Sequence, residues 1–523
     1  MSELRLIPAA LMCWACALLV LCGLGLLAWI LVALAVAIGA VAKFFGQGVI
    51  IAAVGAISAA VSKQKMLWAQ ESELGEKITG QLVSAAKDKM LRLNVDGVPG
   101  TLPVFVEELP GSLPAGAKIT IRAQLKDSDR PAVMPWIAQG EVDNIEPPSG
   151  FAAWADAAAE NFRQAVEQAV GPASQGLIPG IVLGDVSLQD SKEEQLYIDT
   201  GLSHLSAVSG ANVTIVMTAA FLCARALGLG PRCQAGFALA ALLLFAGLVG
   251  PEPSVLRASV AGFAGVMAIM NSSRMQPVHA LSLGVIGLIL YDSDLAASYG
   301  FALSVAATAS IIALVPVFYR TLSPLGWPDT LIRALSVAVA ADIATMPLIS
   351  LMAGEVSVVS VLANVLVSPA TVPITVLGLV AAIWAQLPVP GVDYALKIVE
   401  PFSWWIHQIA LGCQSLPVAT IPAHPWMVLL AYGWIVAGLI YGHPWKVLLI
   451  VVAGLASFYR PVPPVSAWPT DPARIHAVET DEDIDPVPEG TEIIVVYEAG
   501  RSFDHPSRTE EGIPVIYPNR QEQ

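Results

Sequence analysis

The stretch GLSHLSAVSGANVTIV, Gly201 to Val216, decides the fold because it places polar side chains inside a segment otherwise apolar enough for a membrane. It contains a histidine, three serines, an asparagine and a threonine. In hydrocarbon each such group needs a protein partner or a water-filled cavity. We therefore predict that this stretch forms the wall of a polar pathway and not a lipid-facing helix.

The whole chain has the composition of a polytopic membrane protein. Hydrophobic residues make up 55% of its 523 residues and charged residues 13%, with a mean hydropathy of +0.67. A soluble protein normally carries about 25% charge. The formal net charge is −15, and residues 461–523 alone hold thirteen acids and four arginines. This acidic tail argues against a polybasic patch for nucleic acid or lipid head groups at the C-terminus.

The six cysteines lie in or beside apolar runs. This placement disfavours a disulfide framework and supplies no cluster of zinc ligands, so we predict no metal site and no cofactor. Cys13 and Cys16 have the spacing of a redox or metal pair, but we interpret them as lipid-facing cysteines.

Changes of pattern divide the chain into five predicted regions. Leu6–Ala42 is long enough for two crossings, and Gly46–Val61 adds a third, short one. Between Gly75 and Glu146, alternation with turn signals predicts five strands in a small barrel or sandwich, and an oligonucleotide-binding (OB) barrel fits the length. The regions are N-terminal transmembrane segments (1–62), an OB-like exoplasmic β domain (63–150), amphipathic helices (151–200), a helical channel domain (201–460) and an acidic tail (461–523).

After residue 200, ten apolar runs predict membrane segments, including 398–417. Placing the β domain outside puts most short-loop arginines and lysines in the cytoplasm, as the positive-inside bias requires, and leaves the tail exoplasmic. The run around Ser368, Pro369 and Pro373 predicts a broken helix, with prolines that serve helix packing alone as the alternative. The tail is expected to be disordered, with a strand at Glu492–Glu498 as the alternative. The predicted fold class is a polytopic α-helical membrane protein with a small all-β (OB-like) exoplasmic domain.

Three side chains of the β domain are candidates for contact with a nucleic acid strand. Phe105 and Trp136 offer rings on which bases stack, and Arg122 is one of eight basic residues in the same span. Ten acids outnumber these bases. Packing in the core is therefore the favoured role of the two aromatic side chains.

Five motifs, in this order and spacing, carry a resemblance to a known family. They are LGD (183–185), GLSHLSAVSGANV (201–213), PSVLRAS (253–259), YGFALSVAA (299–307) and AADIATMPLISLMAGEVSVVSVLANVLVSP (340–369). The chain resembles the ComEC family of competence proteins, which are inner-membrane channels for DNA uptake. The resemblance spans about residues 40–440. It implies an exoplasmic OB-like domain followed by a helical competence domain that passes one DNA strand into the cytoplasm.

Two departures from the family pattern limit this expectation. Asn212 stands where members commonly have a histidine, and the tail lacks the H-x-H-x-D-H metal run of the metallo-β-lactamase-like domain that ends many members. The resemblance therefore gives no basis for nuclease activity in this chain. The partners it implies are single-stranded DNA, a cytoplasmic motor or strand-binding protein and a separate nuclease, and it also allows a homo-oligomer.

Four candidate residues of the transport pathway lie in the opening stretch. His204 and Asn212 share one face at helical spacing, and a helix break at Ser209 and Gly210 would expose backbone polar groups to a channel. The alternative role is interhelical hydrogen bonding. AVSGA does not match the G-x-S-x-G nucleophile elbow, so we predict that the chain is not an enzyme.

Three further candidates, Arg257, Asp342 and Asn364, lie in later segments. Arg257 either contacts a passing phosphate, snorkels outward or pairs with Glu252. Asp342 is predicted near mid-span, where an unpaired carboxylate costs about 2.5–3.5 kcal/mol. It needs a partner, for which Arg257 and the helix of Asn364 are the candidates.

These observations predict a passive channel that translocates single-stranded DNA into the cytoplasm during natural transformation. The driving force must come from another protein, because the chain has no G-x-x-x-x-G-K-[ST] nucleotide-binding loop. Two alternatives stay open: a secondary transporter of a small solute or lipid precursor, and a membrane scaffold.

Overall fold

The computed structural model describes residues 6–72, 74–86, 89–106, 113–270, 276–416, 418–458, 474–478, 487–488, 490–491, 493–496 and 515–516. The chain forms two compact units, Met1–Val447 and Leu448–Gln523. The helices are α1 (Ile7–Leu21), α2 (Gly25–Val41), α3 (Phe45–Glu71), α4 (Gly150–Ala169), α5 (Pro172–Gln175), α6 (Leu177–Leu183), α7 (Ser191–Asp199), α8 (Gly210–Ala226), α9 (Pro231–Val249), α10 (Pro253–Met270), α11 (Pro277–Tyr291), α12 (Tyr299–Leu322), α13 (Asp329–Ala353), α14 (Ser360–Trp384), α15 (Val392–Gln414), α16 (Pro425–Ile440) and α17 (Pro444–Phe458). The strands are β1 (Lys77–Leu82), β2 (Met90–Val95), β3 (Leu102–Val106), β4 (Lys118–Asp127), β5 (Trp136–Glu146), β6 (Glu355–Ser357), β7 (Thr420–Pro422), β8 (Ile475–Val478), β9 (Ile493–Val496) and β10 (Val515–Ile516).

Six helical segments in the described part of the chain are long and apolar enough to cross a membrane. They confirm the predicted polytopic helical class. Four more apolar helices, among them α1, α2 and α11, are shorter than 18 residues. The six are α3, Ser203–Ala226 with α8, α9, Tyr299–Leu325 with α12, α13 and α14.

The third N-terminal segment differs from its prediction. We expected a short crossing at Gly46–Val61, but α3 has 27 residues and continues to Glu71. The helix continues because its polar end has partners on the segment that begins at the end of α11. Lys65 Nζ donates to two carbonyls there at 3.0 and 2.7 Å, and Ser62 Oγ lies 3.1 Å from Ser293 Oγ.

Two other predicted segments also need correction. α14 runs unbroken through Pro369 and Pro373, so the prediction of a broken helix is wrong. The carbonyl of Val365, which Pro369 leaves without its helical N–H donor, accepts from Ser368 Oγ at 2.9 Å instead. The run at 398–417 belongs to α15, an amphipathic helix whose buried face packs against α14 and which is not one of the six spans.

The β domain is a closed barrel with the strand order β1-β2-β3-β5-β4. All pairs are antiparallel except β3 with β5. Alternate side chains point inward, as the period of two predicts, and fill the barrel. This five-stranded barrel confirms the predicted small all-β domain. Its fully enclosed side chains include Ile78, Leu91, Leu93, Leu102, Ile119 and Ile121.

The barrel shares its core with α1, α11 and the start of α12. Asp294 lies between α11 and α12, and its Oδ1 accepts a hydrogen bond at 2.6 Å from the backbone N–H of Val133 in the β domain. Trp14 Nε1 donates to the carbonyl of Ala296 at 2.8 Å on the helical side of the same segment. The turn at 293–297 therefore connects the barrel to the helices through both side-chain and backbone groups.

We expect the Asp294 carboxyl to make the stability of this contact depend on pH. Burial, and next the charge of Asp292, raise the pKa of Asp294 from 3.8 to about 6. The raised pKa means that protonation of Asp294 stabilises the folded state. This contribution to the free energy of unfolding is complete below the unfolded pKa of about 4 and is lost as pH rises through about 6. Thermal melting in detergent between pH 4 and 7 should show a loss of about 2 kcal/mol. Asp294→Asn should remove most of that slope, and an unchanged slope would contradict the assignment.

The C-terminal unit contains a three-stranded parallel sheet in the order β10-β9-β8. All four residues of β9, Ile493 to Val496, are buried. A continuous apolar run is typical of a parallel strand covered on both faces. The expectation of a disordered tail is therefore wrong for these strands, and the strand alternative at Glu492–Glu498 is right for Ile493–Val496.

Candidate transport pathway in the helical bundle

The opening stretch is not one continuous helix. Residues Ser203–Leu205 form a 3₁₀ turn, Ser209 is extended with φ −90° and ψ 159°, and α8 begins at Gly210. A helix start therefore lies where we predicted a helix break. His204 and Asn212 do not share a helical face, and that expectation is wrong because the chain leaves helical geometry between them.

Asn212 is a buried link between elements and not a lining residue. Its side chain is 6% exposed. Its amide nitrogen donates to the carbonyl of Ile181 in α6 at 2.7 Å. Its amide oxygen accepts from Ser209 Oγ at 3.2 Å and from Thr375 Oγ1 at 3.3 Å. The interhelical alternative is correct for Asn212, because buried amides need partners and these partners are all protein groups.

His204 has a different environment. Both Ser203 and His204 are exposed. The Ser209 hydroxyl donates to Asn212. The described part of the chain contains no group of three or more His, Cys, Asp or Glu side chains arranged to hold a metal ion.

Arg257 covers the start of α8. Its Nε donates to Ser304 Oγ in α12 at 2.7 Å. A Cβ atom added to Gly210 would lie 2.6 Å from its Nη2 atom, so the guanidinium lies against the first turn of α8. No carboxylate lies within 4.0 Å of Arg257 in the described residues, and the predicted alternative of a Glu252 pair is not formed. The guanidinium and the N-terminal N–H groups of α8 together make this point electropositive.

A cavity of about 290 Å³ begins at Arg257 and lies between α10, α11 and α12. Among the described residues that line it, only Arg257 and Thr308 provide polar side chains, and small or aliphatic residues provide the rest. Its volume is at the lower end of small-molecule pockets. The lining residues are Arg257, Ala261, Gly265, Pro277, Ala280, Leu281, Thr308 and Ile312.

Asp342 and Asn364 belong to one hydrogen-bond network. Asp342 is 6% exposed; its Oδ1 accepts from Ser360 Oγ at 2.8 Å and its Oδ2 from the Tyr432 hydroxyl. Asn364 Nδ2 lies 3.3 Å from Ser360 Oγ and 3.3 Å from the carbonyl of Gly201. Of the two predicted partners for Asp342, the helix of Asn364 is correct and Arg257 is not, because hydroxyls of α14 and α16 occupy both carboxylate oxygens.

Sequence reasoning missed three hydroxyl residues of these networks. Ser304 holds Arg257, while Ser360 and Tyr432 hold Asp342. Tyr432 is the one hydroxyl in the otherwise apolar run of α16, and that isolation is a signal. Serines 304 and 360 lack such a signal, because serine is common in membrane helices and only packing selects its partner.

The three β-domain candidates have different surroundings. Phe105 is 37% exposed on the outside of the barrel, with Met90 and Gln139 beside it on the neighbouring strands. Trp136 packs against the core. Arg122 lies 3.7 Å from Asp143, a carboxylate that Lys77 also binds. Of the two aromatic candidates Phe105 is the more exposed, so the expected packing in the core is wrong for Phe105 and right for Trp136.

The chain was compared with known families, curated proteins and solved structures. A family model described as "Competence protein" matches residues 181–445. ComE operon protein 3 of Bacillus subtilis (strain 168) is 27% identical over 266 residues, which are 50% of this chain and 33% of that protein. The alignment thus spans a third of the length of the curated relative. No solved structure gives a significant match.

Proposed function

We propose that this chain, which belongs to the competence protein family, takes part in DNA uptake as a multi-pass channel of the cytoplasmic membrane. A single DNA strand would pass through it into the cytoplasm. The β barrel would lie on the exoplasmic side, where Phe105 offers a ring for stacking with a base.

The observation that carries this proposal is the environment of Arg257. A guanidinium without a carboxylate partner within 4.0 Å in the described residues lies between α10, α11 and α12, of which α12 belongs to one of the six membrane-length segments. It faces both the first turn of α8 and the cavity between α10, α11 and α12. Arginine recognises phosphate through paired N–H donors, and a helix N-terminus adds favourable potential.

Sparse positive charge also suits passage better than storage. Neutralising many phosphates at once would bind a strand tightly and in a salt-dependent way. A conducting site must bind strongly enough to admit the substrate and weakly enough to release it. One arginine without a carboxylate partner in the described residues, beside Thr308 and small or aliphatic side chains, meets both conditions. A cytoplasmic motor or strand-binding protein would supply the force, and a separate protein the nuclease activity.

The test is cytosolic uptake of labelled DNA in a transformable strain that carries this chain in place of its own family member. Arg257→Gln should lower internalised DNA about tenfold or more, since a charge-assisted contact contributes about 1.5–3 kcal/mol. Arg257→Lys should lie between Gln and the parent, because it keeps the charge but not the paired donors.

The matched control is Arg225→Gln, which removes an exposed arginine near the end of α8. It should leave uptake near the parental level at equal protein abundance. Normal uptake when the chain is deleted would remove the proposed function, and equal loss in both arginine variants would remove the role of Arg257.

The cavity volume favours a second candidate, a secondary transporter of a small anion. A space of about 290 Å³ with one guanidinium fits a small solute in the conformation described. Purified protein in liposomes without DNA separates the two proposals. Accumulation of a small anionic solute that Arg257→Gln abolishes would favour the transporter, and its absence together with DNA uptake in cells would favour the channel.

A further inference from the structure

We propose that Asp342 is a positioning residue for the loop that carries His204, and that it acts through Ser360 and Asn364. The effect on the loop is independent of the substrate, and its consequence for DNA passage rests on the proposed function. The proposal concerns residues of α13 and α14 and the chain segment just before the 3₁₀ turn.

The first step is the unusual partner set of Asp342. Its two carboxylate oxygens accept from Ser360 and Tyr432, and both donors are neutral hydroxyls. No lysine, arginine or histidine lies within 4.0 Å of it in the described residues. A carboxyl group held inside a membrane-length helix without a cation is costly and marks a functional site by default.

The second step is the connection to the loop. Asn364 Nδ2 lies 2.9 Å from the carbonyl of Ser360, 3.3 Å from its hydroxyl and 3.3 Å from the carbonyl of Gly201. Gly201 has φ +69°, and a Cβ atom there would lie 2.5 Å from Ser360 Oγ. The backbone of the loop at Gly201 therefore packs directly against Ser360 and accepts a hydrogen bond from Asn364. His204 follows Gly201 by three residues, in the 3₁₀ turn Ser203–Leu205.

The third step is the direction of the hydrogen bonds. An ionised carboxylate only accepts, so Asp342 requires the Ser360 hydroxyl hydrogen to point toward it. The lone pairs of Ser360 Oγ then face other donors, and the Asn364 amide nitrogen is the donor within reach. That orientation leaves the Asn364 amide group directed at the Gly201 carbonyl as well. The Asp342 carboxylate thus fixes which group donates in each hydrogen bond from Ser360 to Asn364 and on to the Gly201 carbonyl.

Tyr432 provides an internal control, because it bonds the other oxygen of Asp342 and leads away from the loop into α16. If Asp342 only joined helices, loss of either hydroxyl would loosen the bundle alike. If it positions the loop, Ser360 matters to the loop and Tyr432 does not.

The experiment measures the rate at which a water-soluble maleimide labels Ser203→Cys in detergent-purified protein whose six native cysteines have been replaced. Ser203 is exposed on the 3₁₀ turn next to His204. Ser360→Ala and Asn364→Ala should each raise the labelling rate about tenfold, and Tyr432→Phe should leave it unchanged. Asp342→Asn, which places a donor against one of the two hydroxyls, should also raise the rate.

A second reporter, Ser323→Cys, separates positioning from general unfolding. Ser323 is exposed beyond α12 and far along the chain from the relay. Faster labelling at both reporters, or equal rates for Ser360→Ala and Tyr432→Phe at Ser203→Cys, would overturn the positioning role. This measurement uses no DNA, so it can fail while the uptake test succeeds, and the reverse.

Discussion

Replacement of Gly140 by valine is expected to unfold the β barrel. Gly140 lies in β5 opposite Val106 of β3 and Ala123 of β4. A Cβ atom there would collide with the carbonyl oxygen of Arg122 and lie 2.6 Å from the Cα atom of Ala123. These are backbone atoms of a closed barrel, so they cannot move without breaking the β4–β5 ladder. We expect Gly140→Val to lower the free energy of unfolding by more than about 4 kcal/mol, as severe steric changes in a core do.

Limited proteolysis and thermal melting of the purified protein in detergent would measure this effect. Gly75→Ala is the matched control, because it lies just before β1 and a Cβ atom there would meet nothing within 4 Å. It should change stability by no more than about 0.5 kcal/mol. A protease-resistant Gly140→Val barrel would show that β5 does not lie against β4 in the described register.

Replacement of Gly201 by alanine is expected to have the second largest effect. Its φ of +69° costs a residue with a Cβ atom about 1–2 kcal/mol. The new methyl group would also lie 2.5 Å from Ser360 Oγ and 2.6 Å from Ser360 Cβ, an overpacking that costs about 1–3 kcal/mol. We therefore expect Gly201→Ala to lower the free energy of unfolding by about 3 kcal/mol. It should also displace the loop that carries His204 and strongly lower DNA uptake.

Gly228→Ala isolates the steric part of that loss. Gly228 has nearly the same conformation, with φ +74°, but a Cβ atom there would meet nothing within 4 Å. Gly228→Ala should lower the free energy of unfolding only by about 1 kcal/mol, the cost of a Cβ atom on a residue with positive φ. Equal melting temperatures for the two alanine variants would mean that Gly201 is not packed against Ser360.

The sequence pattern predicted some features of the candidate site but not the hydrogen-bond partners of its residues. The polar residues of the opening stretch were identified because a break in an apolar run is visible in one dimension. Their separation into exposed His204 and buried Asn212 was not, because it depends on α6 and Thr375 meeting Asn212 from distant positions. Asp342 was recognised as needing a partner, yet Tyr432, ninety residues away, became visible only once α13 and α16 were packed together.

Composition, apolar run length and the alternation of residues 75–146 determined the membrane class and the β domain, because burial in lipid or in a barrel acts on each residue through its own polarity. The extension of α3, the continuity of α14 and the amphipathic packing of α15 were decided by tertiary structure. In α3 and α14 a polar group or proline that looks unfavourable alone is compensated by a hydrogen-bond partner, and α15 is placed by the packing of its buried face against α14. Hydrogen bonds in a membrane bundle require that partner within about 3 Å, and sequence distance carries no information about it.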